Sequence, residues 1–210
     1  MSQATVLDAL GAMGAPGPDG PWATPTSERQ LTELLQILAA HRASLGRDVH
    51  LSRAGFSQLG PVAPKSATVM LGAGVRLQTA EAALREHALT LGPLPPGALG
   101  LTLARFLEGP YAGLRAVSGG RLEPICQSMS GVLGDGRVFS TPDSPRSAAG
   151  PELMSLVLGG EGRLALVTSA TVRCFPWHDA RRSAAFTFER PGNAVDALRA
   201  VLSDGVAPEW

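Results

Sequence analysis

The chain has 210 residues, of which 44% are hydrophobic and only 17% are charged. This length supports one full-sized hydrophobic core but not two well-developed domains. The 18 basic and 18 acidic residues cancel, so no chain-wide field attracts nucleic acid or an anionic membrane, and nucleic-acid binding is disfavoured. The 25 glycines and 17 prolines exceed average usage but stay below the level that suggests disorder, so many tight turns are expected.

Metal, disulfide and nucleophile sites are not predicted. Cys126 and Cys174 lie far apart in apolar segments, and the four histidines are scattered without metal-ligand spacing. Ser57 lies between glycines, but their spacing does not match the nucleophile elbow of serine hydrolases, and no catalytic residue is assigned. With no signal peptide and no apolar run long enough to span a bilayer, the reducing cytoplasm is the expected location.

The first 22 residues are predicted to form an N-terminal arm and a linker. A short amphipathic run covers residues 6–13. The next segment, residues 14–21, consists mostly of glycine and proline. Because both residue types oppose regular structure, no helix or strand is expected there.

A helix is predicted directly after this linker. Gln30 stands at capping-box spacing from Ser27, and Thr26 is an alternative cap. Leucines at positions 31, 34, 35 and 38 then share one helical face. The helix is expected to end near Gly46.

Short elements with glycine-rich turns are predicted in the middle of the chain. Residues 48–52 indicate a strand and residues 53–60 a loop. A buried strand is expected at 68–71, closed by a glycine turn. Thr79 is then predicted to cap a helix that runs to about His87. After a loop at 93–97, residues 99–107 fit a helix or a buried strand, and a helix is preferred.

A β-hairpin is the clearest signal in the second half. Alternating residues at 125–133 and 138–140 flank Asp135 and Gly136, a pair typical of two-residue hairpin turns. Further expected elements are a helix at 151–158, a strand at 164–173, a strand at 184–188 and a helix at 193–202 capped by Asn193. The irregular alternation favours an α+β fold over a doubly wound parallel sheet.

Two glycine-rich turns are candidate binding sites. The N–H groups of residues 53–57 follow a strand and could converge on a phosphate, with Ser57 as an additional donor. Residues 159–168 could let the backbone approach a flat ligand, because glycine has no Cβ. An ordinary tight turn is the alternative for both.

The second turn and the segment before it resemble the FAD-binding (PCMH-type) domain of the vanillyl-alcohol oxidase superfamily. Two motifs carry the resemblance: P-R-S-A-A-G-P-E-L at 145–153 and G-G-E-G-R-L-A-L-V-T at 159–168. Together they are most similar to the branch of alkyl-dihydroxyacetone-phosphate synthases and D-lactate or glycolate dehydrogenases. Other segments follow in register, so that the resemblance covers residues 23–208.

The resemblance implies an α+β fold with two lobes. The small N-terminal lobe would cover residues 23–60, and a larger lobe with an antiparallel sheet and flanking helices would cover residues 67–176. Residues 177–210 are similar to the start of the family's substrate-binding cap and would be its remnant. In this family FAD lies extended between the lobes.

The resemblance also implies a non-covalent FAD site in three segments. The residues are Arg53, Ala54, Gly55, Phe56, Ser57, Gly100, Leu101, Glu161, Gly162, Leu164, Ala165, Leu166 and Val167. Covalent attachment is not expected, because Phe56 stands where the family's flavin-linking histidine is found. Ala54, Leu101 and Ala165 replace glycines of the family pattern. The connection at 61–67 is shorter than usual and lacks the family's extra strand, so one wall of the cofactor groove is expected to be missing.

Two functions follow from the resemblance. The first is an FAD-linked oxidoreductase-like subunit that lacks a complete cap, needs a partner chain for catalysis and associates with that partner or with itself. The alternative is a degenerate, non-catalytic domain that has lost FAD and acts as a binding or scaffolding module. The sequence does not distinguish the two functions, and it identifies neither a substrate nor a partner.

Overall fold

The computed structural model describes residues 3–92, 94–95, 97–110, 125–143, 153–179 and 184–205. Within these ranges the chain mixes helices with largely antiparallel sheets. The predicted α+β class is therefore confirmed.

The N-terminal segment is folded. Its elements are helix α1 (Gln3–Leu10) and strands β1 (Gly14–Gly17) and β2 (Gly20–Ala23). The two strands form an antiparallel hairpin, and Val6 and Leu10 of α1 are buried. The prediction that residues 14–21 form no regular element is wrong. Pro16 and Pro21 lie opposite each other in the hairpin, so the two positions without an N–H donor coincide in the ladder.

Helix α2 (Glu28–Ala40) begins where the sequence predicts. Ser27 is the N-cap, and its hydroxyl accepts a hydrogen bond from the N–H of Gln30 at 3.3 Å. The Gln30 side chain reaches back to the N–H of Thr26 at 2.7 Å. The helix ends before Gly46 because Arg42 adopts a left-handed backbone, with φ of 52°.

The remaining elements follow in chain order. They are β3 (His50–Leu51), β4 (Leu59–Ala63), β5 (Thr68–Gly72), α3 (Leu77–Arg85), β6 (Leu89–Thr90), α4 (Leu103–Glu108), β7 (Cys126–Leu133), β8 (Val138–Ser140), α5 (Leu153–Val157), β9 (Ala165–Arg173), β10 (Phe175–Pro176) and α6 (Pro191–Ser203). Strand β3 pairs parallel with β2, and β6 pairs with β10.

A five-stranded antiparallel sheet forms the centre of the fold, with strand order β4-β5-β9-β7-β8. The hairpin of β7 and β8 confirms the prediction made from Asp135 and Gly136. Strand β4 occupies one edge of the sheet. The short connection at 61–67 therefore includes the end of an edge strand.

Several predicted element boundaries are wrong. Helix α3 begins two residues before the predicted cap Thr79, and α6 has Arg190 rather than Asn193 as its N-cap. In the region 99–107, α4 forms after the N-cap Thr102, so the preference for a helix there is correct. Residues 184–188 form no strand. Phe186 is 77% exposed, and an extended segment without a partner strand gains no ladder hydrogen bonds.

Two hydrophobic clusters lie on opposite faces of the central sheet. Helices α3 and α4 contribute to the larger cluster, together with Met129 and Val167 of the sheet. Helices α1 and α2 pack against Val132 and Leu166 in the second cluster. In the part of the chain that the structure describes, none of the helices has the length and hydropathy needed to cross a bilayer.

Candidate functional site

A groove of about 240 Å³ lies between the N-terminal end of α2 and the central sheet. The residues that line it come from four segments that are distant in sequence. They are Thr26, Glu28, Gly55, Phe56, Gln58, Met70, Gly72, Thr168 and Ser169. The groove thus lies between the start of α2, the first glycine-rich loop and strands β5 and β9.

Three glycines bring the backbone segments beside this groove into direct contact. A Cβ added to Gly55 would overlap the carbonyl oxygen of Pro25. A Cβ on Gly72 would overlap the carbonyl oxygen of Phe56, and one on Gly74 would overlap that of Arg53. These glycines are therefore required for the packing of the loop between α2 and β5.

A buried ion pair fixes the start of the same loop. Nη2 of Arg53 lies 2.8 Å from Oε1 of Glu108, and the two side chains are only 10% and 12% exposed. Nη1 of Arg53 donates to the carbonyl of Val167 at 2.6 Å, while the N–H of Val167 donates to Oε1 of Glu108 at 2.8 Å. Since the ladder between β5 and β9 ends at Gly72, these side chains satisfy backbone groups of β9 beyond that point.

The ion pair is strongly desolvated. Burial raises the pKa of Glu108, although Arg53 opposes that shift. Burial also lowers the pKa of Arg53 against the attraction of Glu108. Both charges therefore depend on each other and on Val167 for their stabilisation.

The first predicted segment lies beside the groove. Gly55 and Phe56 line it, whereas the Arg53 side chain is held by Glu108. The hydroxyl of Ser57 donates to the carbonyl of Ala54 at 2.7 Å. Ala54 does not adopt a positive φ, so the backbone here does not require glycine at that position.

The second predicted segment lies beside the start of α3 and does not line the groove. The carbonyl of Gly100 accepts a hydrogen bond from Nη1 of Arg76, and the carbonyl of Leu101 accepts one from the N–H of Leu77. Directly after it, Ala104 packs with Phe56 and Ala73 in a small buried cluster. Gly100 and Leu101 are thus bonded to the start of α3.

The third predicted segment is built into the central sheet. Ala165 and Val167 belong to the larger core cluster and Leu166 to the second. The methyl of Ala165 is thus in the core. Leu164 is 55% exposed. Leu153 is described, but the rest of the motif at 145–153 lies outside the described residues.

The turn before this strand packs on the end of α4. Glu161 and Gly162 both have a positive φ, of 53° and 70°. The N–H of Glu161 donates to the carbonyl of Glu108, and its carboxylate pairs with Arg163 at the surface. Neither residue lines the groove.

Seven of the residues that line the groove were not predicted as site residues from the sequence. They are Thr26, Glu28, Gln58, Met70, Gly72, Thr168 and Ser169. Thr168 is the last residue of the second glycine-rich motif and Gln58 directly follows the first, so one more assigned residue at each motif would have included both. Glu28 carries no such signal, because its partner Thr168 is 140 positions away.

Both cysteine thiols are unavailable as nucleophiles. Cys126 and Cys174 are free and buried. Desolvation by burial raises the pKa of each thiol to about 12. A thiol of this kind is protonated and inert at neutral pH.

Curated relatives match part of the chain. A D-lactate dehydrogenase of Archaeoglobus fulgidus is 35% identical over 106 residues, which are 50% of this chain and 24% of that protein. An FAD-linked oxidoreductase of Escherichia coli is 28% identical over 136 residues, 64% of this chain and 28% of the relative. The alkyldihydroxyacetonephosphate synthase of Caenorhabditis elegans is 26% identical over 136 residues, 65% of this chain and 23% of the relative. No family model matches the chain.

Solved structures match a larger share of the chain. A structure of alkyldihydroxyacetonephosphate synthase superposes with a TM-score of 0.74 at 20% identity, covering 90% of this chain and 38% of the synthase chain. A second structure of this synthase gives a TM-score of 0.73. This likeness establishes the fold.

The chain spans about a quarter of the length of the curated relatives it matches.

These matches confirm the resemblance that the sequence motifs indicate. The relatives are the dehydrogenases and synthases of the branch that the motifs identify. The solved structures extend the agreement to almost all of the chain. The chain is therefore similar to D-lactate dehydrogenase, to an FAD-linked oxidoreductase and to alkyldihydroxyacetonephosphate synthase, and it has the fold of the matching part of that synthase.

Proposed function

We propose that the chain is the FAD-binding part of an FAD-linked oxidoreductase. It holds FAD non-covalently in the groove, and a partner chain or a second copy supplies the other half of the substrate site. The observation that carries the proposal is that Gly55 and Phe56, which belong to the FAD site implied by the resemblance, line the groove between α2 and the sheet.

Several polar groups at the groove wall can hold the central part of FAD, although the wall also carries the carboxylate of Glu28. The side chains of Thr26, Gln58 and Ser169 are neutral hydrogen-bonding groups at its wall, beside the backbone of Gly55. Such groups suit phosphate oxygens. At about 240 Å³ the groove is smaller than the roughly 300–1,000 Å³ of pockets that enclose a whole drug-sized ligand. It therefore takes the diphosphate, while the flavin and adenine extend beyond it.

Bound FAD would supply the redox chemistry, and the chain would position it. Phe56 is buried in a cluster with Ala73 and Ala104, which fixes the loop that faces the diphosphate. The inert thiols of Cys126 and Cys174 support non-covalent attachment, because a thioether to the flavin requires an accessible thiolate.

Helix α6 supports the proposed association. None of its residues is buried. Its apolar residues Val195, Leu198, Val201 and Leu202 are between 40% and 53% exposed. Contiguous apolar surface of this kind is typical of an interface.

A matched pair of charge variants tests the FAD site. Gln58→Glu adds a negative charge at the groove and should weaken FAD binding about tenfold, because the added carboxylate repels the diphosphate. Gln78→Glu makes the same change on the exposed side of α3, away from the groove. It should leave the Kd for FAD within about twofold of that of the unaltered chain. The measurement is a fluorescence titration of FAD with purified protein at low salt.

Three outcomes are informative. Selective weakening by Gln58→Glu supports the groove as the site. Equal affinity of the two variants contradicts the placement. If the unaltered chain binds no FAD at millimolar concentration, the alternative of a scaffolding domain that has lost FAD is supported instead.

A further inference from the structure

Glu28 brings a negative charge into the groove. It is the first residue of α2, and its Oε1 accepts a hydrogen bond from Oγ1 of Thr168 at 2.7 Å. Thr168 is buried in β9. The carboxylate is thus held against the sheet at the groove wall by a contact between residues 140 positions apart.

Nothing among the described residues that line the groove balances this charge. The lining contains no arginine, lysine or histidine. Arg53 belongs to the adjacent loop, but its guanidinium is held by Glu108 and the carbonyl of Val167. An anion in the groove would therefore face an acidic side chain without a basic one nearby.

The position of Glu28 at the N-terminus of α2 strengthens the repulsion of anions from the groove. A helix N-terminus attracts anions through its partial positive charge and its N–H groups. At α2 the capping residues Ser27 and Gln30 already bond to one another and to Thr26. The Glu28 carboxylate then supplies the negative charge that a bound phosphate would otherwise bring to this helix end.

We propose that Glu28 is a specificity-determining residue that lowers the affinity of the groove for the diphosphate of a dinucleotide. The proposal rests on the proposed function, in which the groove holds FAD. A like charge at a binding site suppresses anionic ligands far more than neutral ones. Glu28 therefore reduces the affinity for FAD while leaving that for riboflavin, which has no phosphate, unchanged.

Glu28→Gln is the direct test. The variant removes the charge but keeps an oxygen that can accept the Thr168 hydrogen bond. We expect FAD to bind about tenfold more tightly at low salt. The gain should shrink as salt rises, because screening weakens the repulsion in the unaltered chain. Riboflavin should bind both forms with the same Kd.

Two further variants separate charge from structure. Glu33→Gln makes the same change at an exposed position of α2 outside the groove, and it should leave the FAD affinity within about twofold. Thr168→Val removes the hydroxyl that holds the carboxylate at the wall. It should tighten FAD binding, but less than Glu28→Gln does. Thermal unfolding verifies that each variant is folded.

Inorganic pyrophosphate, titrated by calorimetry, distinguishes the failure of this inference from that of the proposed function. If Glu28→Gln and the unaltered chain bind FAD equally, or the variant binds it less, the inference is overturned and the FAD site stands. If neither form binds FAD but the variant binds pyrophosphate more tightly, the proposed function fails and the role of Glu28 stands. If neither the variant nor the unaltered chain binds FAD or pyrophosphate, both the inference and the proposed function are overturned.

Discussion

Replacing Glu108 with glutamine should lower the free energy of unfolding by about 3–5 kcal/mol, the usual effect of removing one partner of a buried ion pair. The amide still offers an oxygen to the N–H of Val167, but it leaves the Arg53 guanidinium buried without a counter-charge. Urea denaturation at neutral pH, followed by circular dichroism, measures the change.

The matched control is Glu161→Gln. Glu161 also pairs with an arginine, Arg163, but the side chains of this pair are 52% and 80% exposed. Its loss should change the unfolding free energy by no more than about 1 kcal/mol. In a chain that already carries Arg53→Gln, Glu108→Gln should lower the free energy of unfolding by less than it does alone, because no unpaired cation remains. Equal effects of Glu108→Gln and Glu161→Gln would contradict the assigned role of the buried pair.

Gly72→Ala should destabilise the chain by about 1–3 kcal/mol or more, through overpacking rather than backbone strain. Gly72 does not have a positive φ, but its Cβ would overlap the carbonyl oxygen of Phe56. The loop between Arg53 and Gln58 must then move away from β5. A loss of stability in urea should accompany a loss of FAD binding, since Phe56 lines the groove.

Gly100→Ala provides the control for this substitution. A Cβ at Gly100 meets no atom within 4 Å, and its φ is not positive. The unfolding free energy should therefore stay within about 0.5 kcal/mol of that of the unaltered chain or rise slightly. A Gly72→Ala variant as stable as Gly100→Ala would show that the contact between β5 and the loop is not tight.

Elements with strong local signals could be predicted from the sequence. The pair Asp135 and Gly136 fixes the hairpin because its turn geometry is local. Ser27 and Gln30 fix the start of α2 for the same reason. The N-terminal hairpin was missed, since its strands are stabilised by pairing with each other and with β3, which overrides the low strand propensity of glycine and proline.

The candidate site could be predicted only in part. The glycine-rich loop at Gly55 is recognisable by its composition, and it does reach the groove. The contact of Glu28 with Thr168 and that of Arg53 with Glu108 are made by side chains far apart in sequence. Such contacts depend on the packing of α2 and α4 against the sheet, and no local pattern indicates them.

Hydrogen exchange with and without FAD tests the central claim, that the groove holds the diphosphate, most directly. Amides of the segment from Gly55 to Gln58 lie at the groove wall, whereas α6 has no buried residues and lies outside the groove. We predict that FAD slows exchange in this segment and leaves that of α6 unchanged. Bound FAD that leaves exchange of residues 55–58 unaltered, while protecting a segment elsewhere, would contradict the claim.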